Sequence, residues 1–182
     1  MSGRRLLAAA TAALLAGCAA LTPPIPNPAG VPPEALTLEY VLDRGCLAYL
    51  LGEKTEREAM RGLRLNYIRP MFSMDPGGSD PYWAGAYPGL ANVRVSPGLC
   101  DINIHGRDVA AYRAAAERVF QRRLGADPGQ DARSGYKAWV TGQATGCRHG
   151  LRYTYYPSPG RPFFSVDISR ADCATDPLRA AG

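Results

Sequence analysis

The chain has 182 residues, 46% of them hydrophobic and 20% charged, enough for a single domain of ordinary size with a core. Its 21 basic and 16 acidic side chains leave a net charge of +5, too little to argue for a nucleic-acid partner. Lysine occurs only at Lys54 and Lys137, and the abundance of Ala, Gly, Pro and Arg reads as a GC-rich coding bias, so the arginines carry little weight by themselves.

The chain opens with Arg4 and Arg5, then the apolar run Leu6 to Leu15, then small residues. This is the layout of a signal peptide, residues 1–17, and the run is short of the ~20 residues a spanning helix needs. Leu15-Ala16-Gly17-Cys18 resembles the lipobox of bacterial lipoproteins. That resemblance implies a diacylglycerol on the Cys18 thiol, cleavage just before it, and a further acyl chain on the new N-terminus. Several acyl chains give stable attachment where one gives only marginal binding. Ala19 stands where an Asp would retain a Gram-negative lipoprotein at the inner membrane. In such a host the resemblance therefore implies the periplasmic side of the outer membrane. Losing Arg4 and Arg5 leaves 19 basic residues against 16 acidic, a net +3.

Residues 18–35 follow as a spacer crowded with Pro23, Pro24, Pro26, Pro28, Pro32 and Pro33. Fixed φ and missing donors argue against helix or sheet there. An extended polyproline segment of ~3.1 Å per residue is expected, holding residues 36–182, the single folded domain, away from the lipid.

Four cysteines remain: Cys46, Cys100, Cys147 and Cys173. An even number in an exported chain reads as two disulfides, with three connectivities open and no zinc-type spacing.

The stretch TLEYVLDRGCLAYLL has a helical period, with Leu38, Val41, Leu42, Cys46 and Tyr49 on one stripe, Thr37 as expected N-cap and Gly52 as stop. Gly45 beside Cys46 leaves room for close approach of another segment. A short helix is expected near Thr55–Leu63. From Tyr67 to Leu90, repeated Pro and Gly break any regular element, so an aromatic-rich loop is expected. Two strands, Ala91–Val95 and Leu99–His105, flank Ser96-Pro97-Gly98 as a hairpin. Cys100, Ile102 and Ile104 point to one face, and Asp101, Asn103 and His105 to the other. Asp108 caps a helix over RDVAAYRAAAERVFQRRL, whose stripe is Val109, Tyr112, Ala116, Val119 and Phe120, and Gly125 closes it. Strands near Tyr136–Gln143, Arg148–Tyr155 and Pro162–Arg170 complete a meander. Pairing across Pro157–Gly160 brings Cys147 near Cys173, which leaves Cys46 for Cys100. The expected fold is α+β: about five antiparallel strands, a hairpin plus a three-stranded meander, with two main helices on one face, the other face open to water, and two disulfides.

Three patterns bear on chemistry. Asp101, Asn103 and His105, about 6.6 Å apart along a strand, can converge on a ligand or metal, or simply form the wet side of an amphipathic strand. Nucleophilic catalysis lacks support, because the cysteines read as oxidised and no GxSxG or SxxK occurs. Tyr67, Phe72, Tyr82, Trp83 and Tyr87, with Arg148 and Arg152, are residue types enriched at binding surfaces, though part of this set belongs in the core. The resulting expectation is a lipid-anchored envelope module that binds rather than catalyses, with no cofactor and no metal. Its membrane contact is the lipid, its partner an envelope protein or a glycan. The alternatives are a hydrolase or metal enzyme built on Asp101, Asn103 and His105, and a structural assembly lipoprotein.

Overall fold

The computed structural model describes residues 30–69, 81–125, 129–131, 136–140, 147–157 and 159–171. Cys18, the segment before residue 30, Phe72 and Cys173 lie outside these residues. No helix among the described residues is long and apolar enough to cross a membrane.

The first helix begins at Pro33, not at Thr37. Helix α1 (Pro33–Val41) runs through a π-helical turn (Leu42–Leu47) into a last turn, α2 (Ala48–Leu50). Pro33 starts the helix, because its preset φ and missing N–H suit the first helical position, where that N–H has no partner in any case. Thr37 is therefore fully buried inside the helix and is not its cap. Gly45 sits in the π turn, where an added Cβ would meet Leu63 Cδ1 at 2.8 Å and Met60 Cε at 3.4 Å. The approach that Gly45 permits is thus that of the next helix, α3 (Glu56–Gly62) and the residue after it. Thr55 caps α3 in a reciprocal box: Glu58 N–H donates to Thr55 Oγ1, and Thr55 N–H donates to Glu58 Oε2 at 2.9 Å. These bonds hold the Glu58 carboxyl below its ordinary pKa.

Five strands match the expected ones: β3 (Leu90–Ser96), β4 (Leu99–His105), β6 (Tyr136–Val140), β7 (Arg148–Tyr156) and β8 (Phe163–Ala171). Three short strands are additional: β1 (Asn66–Ile68), β2 (Tyr82–Ala84) and β5 (Gly129–Asp131). The single sheet has eight strands among the described residues, in the order β1-β2-β3-β4-β8-β7-β6-β5, and every pairing is antiparallel. β1 and β2 lie in the stretch where Pro and Gly predict only loop. Three residues each, they pair with one another, and β2 then docks on the edge of β3 through Trp83 opposite Val93.

Helix α4 (Val109–Leu124) starts under Asp108, whose Oδ1 accepts from Ala111 N–H at 3.0 Å, and ends on Gly125 at φ +72°. Its buried stripe is Tyr112, Ala115, Ala116, Val119 and Phe120; Val109 is only half-buried. Arg118, Arg122 and Arg123 reach back to Glu39, Asp43 and Glu53, clamping α4 to the first helix along its water-facing side. The core lies between these helices and one face of the sheet. There Ile102, Ile104, Leu151, Phe164, Val166 and Ile168 are all fully buried or nearly so, each worth ~1.5–3 kcal/mol of burial.

Cys46 is bonded to Cys100, tying the π turn to β4 over a sequence separation of 54, with Cα atoms 5.6 Å apart. This is the expected pair, and it is the complete disulfide among the described residues, where two were expected. Cys147 is buried and disulfide-bonded, while Cys173, its expected partner, lies outside them.

Candidate functional site

The sheet face turned away from the helices carries a cleft of about 470 Å³. Antiparallel register assembles it in three rows, two crossing four strands and one crossing three. One row is Arg94, Asp101, Asp167 and Arg152, contributed in turn by β3, β4, β8 and β7. The next is Asn92, Asn103, Ser165 and Thr154. The third sets His105 opposite Phe163, with Tyr156 beyond it. Period-two alternation explains why these residues share a face: their neighbours Cys100, Ile102, Ile104, Phe164, Val166 and Ile168 all point into the core.

Hydrogen bonds hold the two polar rows together. Asn103 Nδ2 donates to Asn92 Oδ1 at 3.0 Å and to Asp101 Oδ2 at 3.1 Å. Ser165 Oγ donates to Asp101 Oδ1 at 2.8 Å. Arg152 Nε donates to Asp167 Oδ2 at 2.8 Å. Both oxygens of Asp101 thus accept bonds from within the protein. Burial still pushes its carboxyl up in pKa, with the nearby Asp167 charge acting the same way, against the bonds from Ser165 and Asn103. Asn103 and Ser165 are 9% and 5% exposed, low values for polar side chains on a face that no helix among the described residues covers. At the aromatic end, Tyr156 stacks on Phe163 with ring centroids 4.3 Å apart and planes 19° from parallel. Tyr156 remains 44% exposed. His105 Nδ1 is buried with no hydrogen-bond partner among the described residues.

No family model, curated protein or solved structure matches the chain. The site therefore rests on its own geometry.

Asp101, Asn103 and His105, singled out from strand alternation, all line this cleft, and Arg152 joins them from β7. Asn92, Arg94, Ser165, Asp167 and Phe163 also line it, and the sequence alone does not mark them. Alternation places Ser165 and Asp167 on the polar side of β8, but only the pairing of β4 with β8 carries them to Asp101 and Asn103. Among the described residues no three His, Cys, Asp or Glu side chains gather as metal ligands.

The aromatic and arginine set does not form one surface. Trp83 is buried, its Nε1–H donating to Glu56 Oε1 at 2.7 Å, and Tyr67 packs edge-on against it at 5.2 Å. Tyr87 is buried too, its hydroxyl donating to the Leu63 carbonyl at 2.9 Å, and burial pushes its pKa up to about 12. Tyr67 is exposed and Tyr82 half-buried, while Phe72 lies outside the described residues. Arg148 and Arg152 are on β7, with three strands between it and β2 in the sheet order.

Proposed function

We propose that this chain is a lipid-anchored envelope module that binds a polar ligand on the helix-free face of its sheet, with no chemistry performed on it. The observation that carries the reading is the double engagement of Asp101. Its two oxygens accept from Asn103 and Ser165 and hold those side chains in place, which suits a binding surface whose polar groups are set before the ligand arrives. Fixed amide, hydroxyl, carboxylate and guanidinium groups within about 470 Å³ are what orients a ligand in a small-molecule site. The anchor at Cys18 comes from the lipobox resemblance and extends the reading to a membrane surface. The clip from Cys46 to Cys100 supports an oxidising compartment.

Two measurements test this. Labelled palmitate should enter the full chain and be lost in Cys18→Ser. Titration of an envelope extract into the isotope-labelled, detergent-solubilised full chain should shift the side-chain amides of Asn92 and Asn103. Shifts confined to the helical side would refute the proposed face.

A further inference from the structure

We propose that the ligand of this cleft is a short saccharide without net charge, its ring face against Tyr156 and its hydroxyls on Asn103, Asp167 and Arg152. The inference rests on the reading of this face as a binding site and adds the class of ligand.

Charge is the first argument. The row Arg94, Asp101, Asp167 and Arg152 holds two guanidinium groups and two carboxylates side by side. An anion approaching the arginines meets the aspartates between them, and a cation meets the flanking arginines. A neutral polar molecule meets neither repulsion. Hydrogen-bonding capacity is the second. A sugar hydroxyl both donates and accepts, so it is best matched by a donor and an acceptor held close together. Asp167 and Arg152 are such a pair, joined at 2.8 Å; beside them Asn103, both amide hydrogens spent on Asn92 and Asp101, offers its Oδ1 as acceptor, and Asn92 offers its Nδ2 as donor. Asn103 is locked from two sides, so little rotamer freedom remains to be lost on binding.

Shape is the third. Phe163 fixes the Tyr156 ring by stacking, yet Tyr156 remains 44% exposed and lines the cleft. An apolar wall beside a polar floor suits a pyranose, which has C–H groups on its face and hydroxyls at its rim. His105 Nδ1, buried at this end without a partner among the described residues, leaves one more polar atom there for a water or hydroxyl to satisfy. The volume lies within the roughly 300–1,000 Å³ of small-molecule sites.

The test is an NMR titration of the full chain in detergent with four probes: maltotriose and the N-acetylglucosamine trimer as neutral saccharides, tetralysine and tetraglutamate as charged controls. At least one saccharide should shift the side-chain amides of Asn92 and Asn103 and the Tyr156 ring, and the charged peptides should not. Tyr156→Ala should weaken that binding at least ten-fold with the melting temperature held. Arg152→Met, altering an exposed rim position, should weaken it as well, and serves in place of Tyr156→Ala if that variant fails to fold. Charged peptides shifting these signals while both sugars leave them unmoved overturns the saccharide and leaves the binding face standing. No shift from either sugar at millimolar concentration also overturns the saccharide, and the envelope-extract titration then decides separately whether the face binds anything.

Discussion

Asp101 and Asp167 stand opposite each other across β4 and β8, and different donors hold them: Ser165 and Asn103 on Asp101, Arg152 on Asp167. Two carboxylates on neighbouring strands repel, and the raised pKa of Asp101 includes that repulsion after the larger effect of burial. The donors make the pair tolerable at neutral pH and turn a repulsive contact into a ladder of fixed polar atoms.

The cost of that arrangement is measurable. Asp101 in the unfolded chain ionises near the ordinary value of ~3.9, whereas in the fold it ionises only at higher pH. Between those two values the folded state binds more protons. Stability from this carboxyl is thus fully present below about pH 3.9 and is lost as pH rises through the folded pKa. Asp101→Asn cannot ionise. Wild type should therefore lose stability relative to Asp101→Asn as pH rises from about 4 to 7, read from urea midpoints of both proteins. Parallel curves would show that burial does not govern this group.

His149 behaves in the opposite sense. It is fully buried on β7 opposite Arg170, and burial, then the Arg170 charge, holds its imidazole below the ordinary pKa. Above the unfolded value of ~6.5 both states are neutral and the full stability is present. As pH falls below that value the unfolded chain takes up the proton first, and stability is lost down to the folded pKa. Wild type should melt at a lower temperature at pH 5 than at pH 7.5, by a margin larger than for His149→Phe. An equal shift in both proteins would remove His149 as the cause.

Much of the architecture is legible in the residues. Alternation of period two marks β3, β4 and β8, and the helical period marks α4 and the first helix, because each of these buries one continuous face. The pairing of Cys46 with Cys100 is legible as the pair left over once the last hairpin sets Cys147 near Cys173, and both cysteines fall on buried faces. What is not legible is long-range register. Nothing local to Asp101 says that Asp167 and Ser165, more than 60 residues later, become its neighbours; the hydrogen-bond and ladder partners arise when β4 pairs with β8. β1 and β2 escape notice because three residues are too few to show a period, and their flanking Pro and Gly read as breakers. Trp83 is ambiguous for a different reason. An aromatic in a Pro- and Gly-rich stretch suits a binding loop or a packed one equally, and only the bond to Glu56 reveals the packed state.

The Cys46–Cys100 bond closes a loop with a sequence separation of 54. In the loop-entropy account a closure of that length contributes about 4 kcal/mol. The double variant Cys46→Ala, Cys100→Ala should lose about that much in urea unfolding without reductant. A loss under about 1 kcal/mol would mean that the π turn stays on β4 without the covalent link.

Gly106 joins β4 to the approach of α4, and its backbone constrains the rim of the cleft. Its φ of +155° lies in a region that residues with a Cβ rarely adopt, at a cost of about 1–3 kcal/mol. An added Cβ would also run into the Tyr112 hydroxyl, and Tyr112 is only 2% exposed, with Phe164 packed on its ring at 5.5 Å. Overpacking of that kind adds about 1–3 kcal/mol. Gly125 is the natural control: its φ is +72°, but no atom lies within 4 Å of the added Cβ, so only the conformational cost applies. Gly106→Ala should destabilise by about 3 kcal/mol or more in urea titrations, and Gly125→Ala by about 1 kcal/mol. Because Gly106 N–H also donates to the Pro162 carbonyl at 3.1 Å, the first substitution should disturb the strand start that carries Phe163, and with it the Tyr156 ring signals. Equal losses in the two variants would mean that Tyr112 yields to the new methyl, and that contact with Tyr112 does not set the position of this strand end.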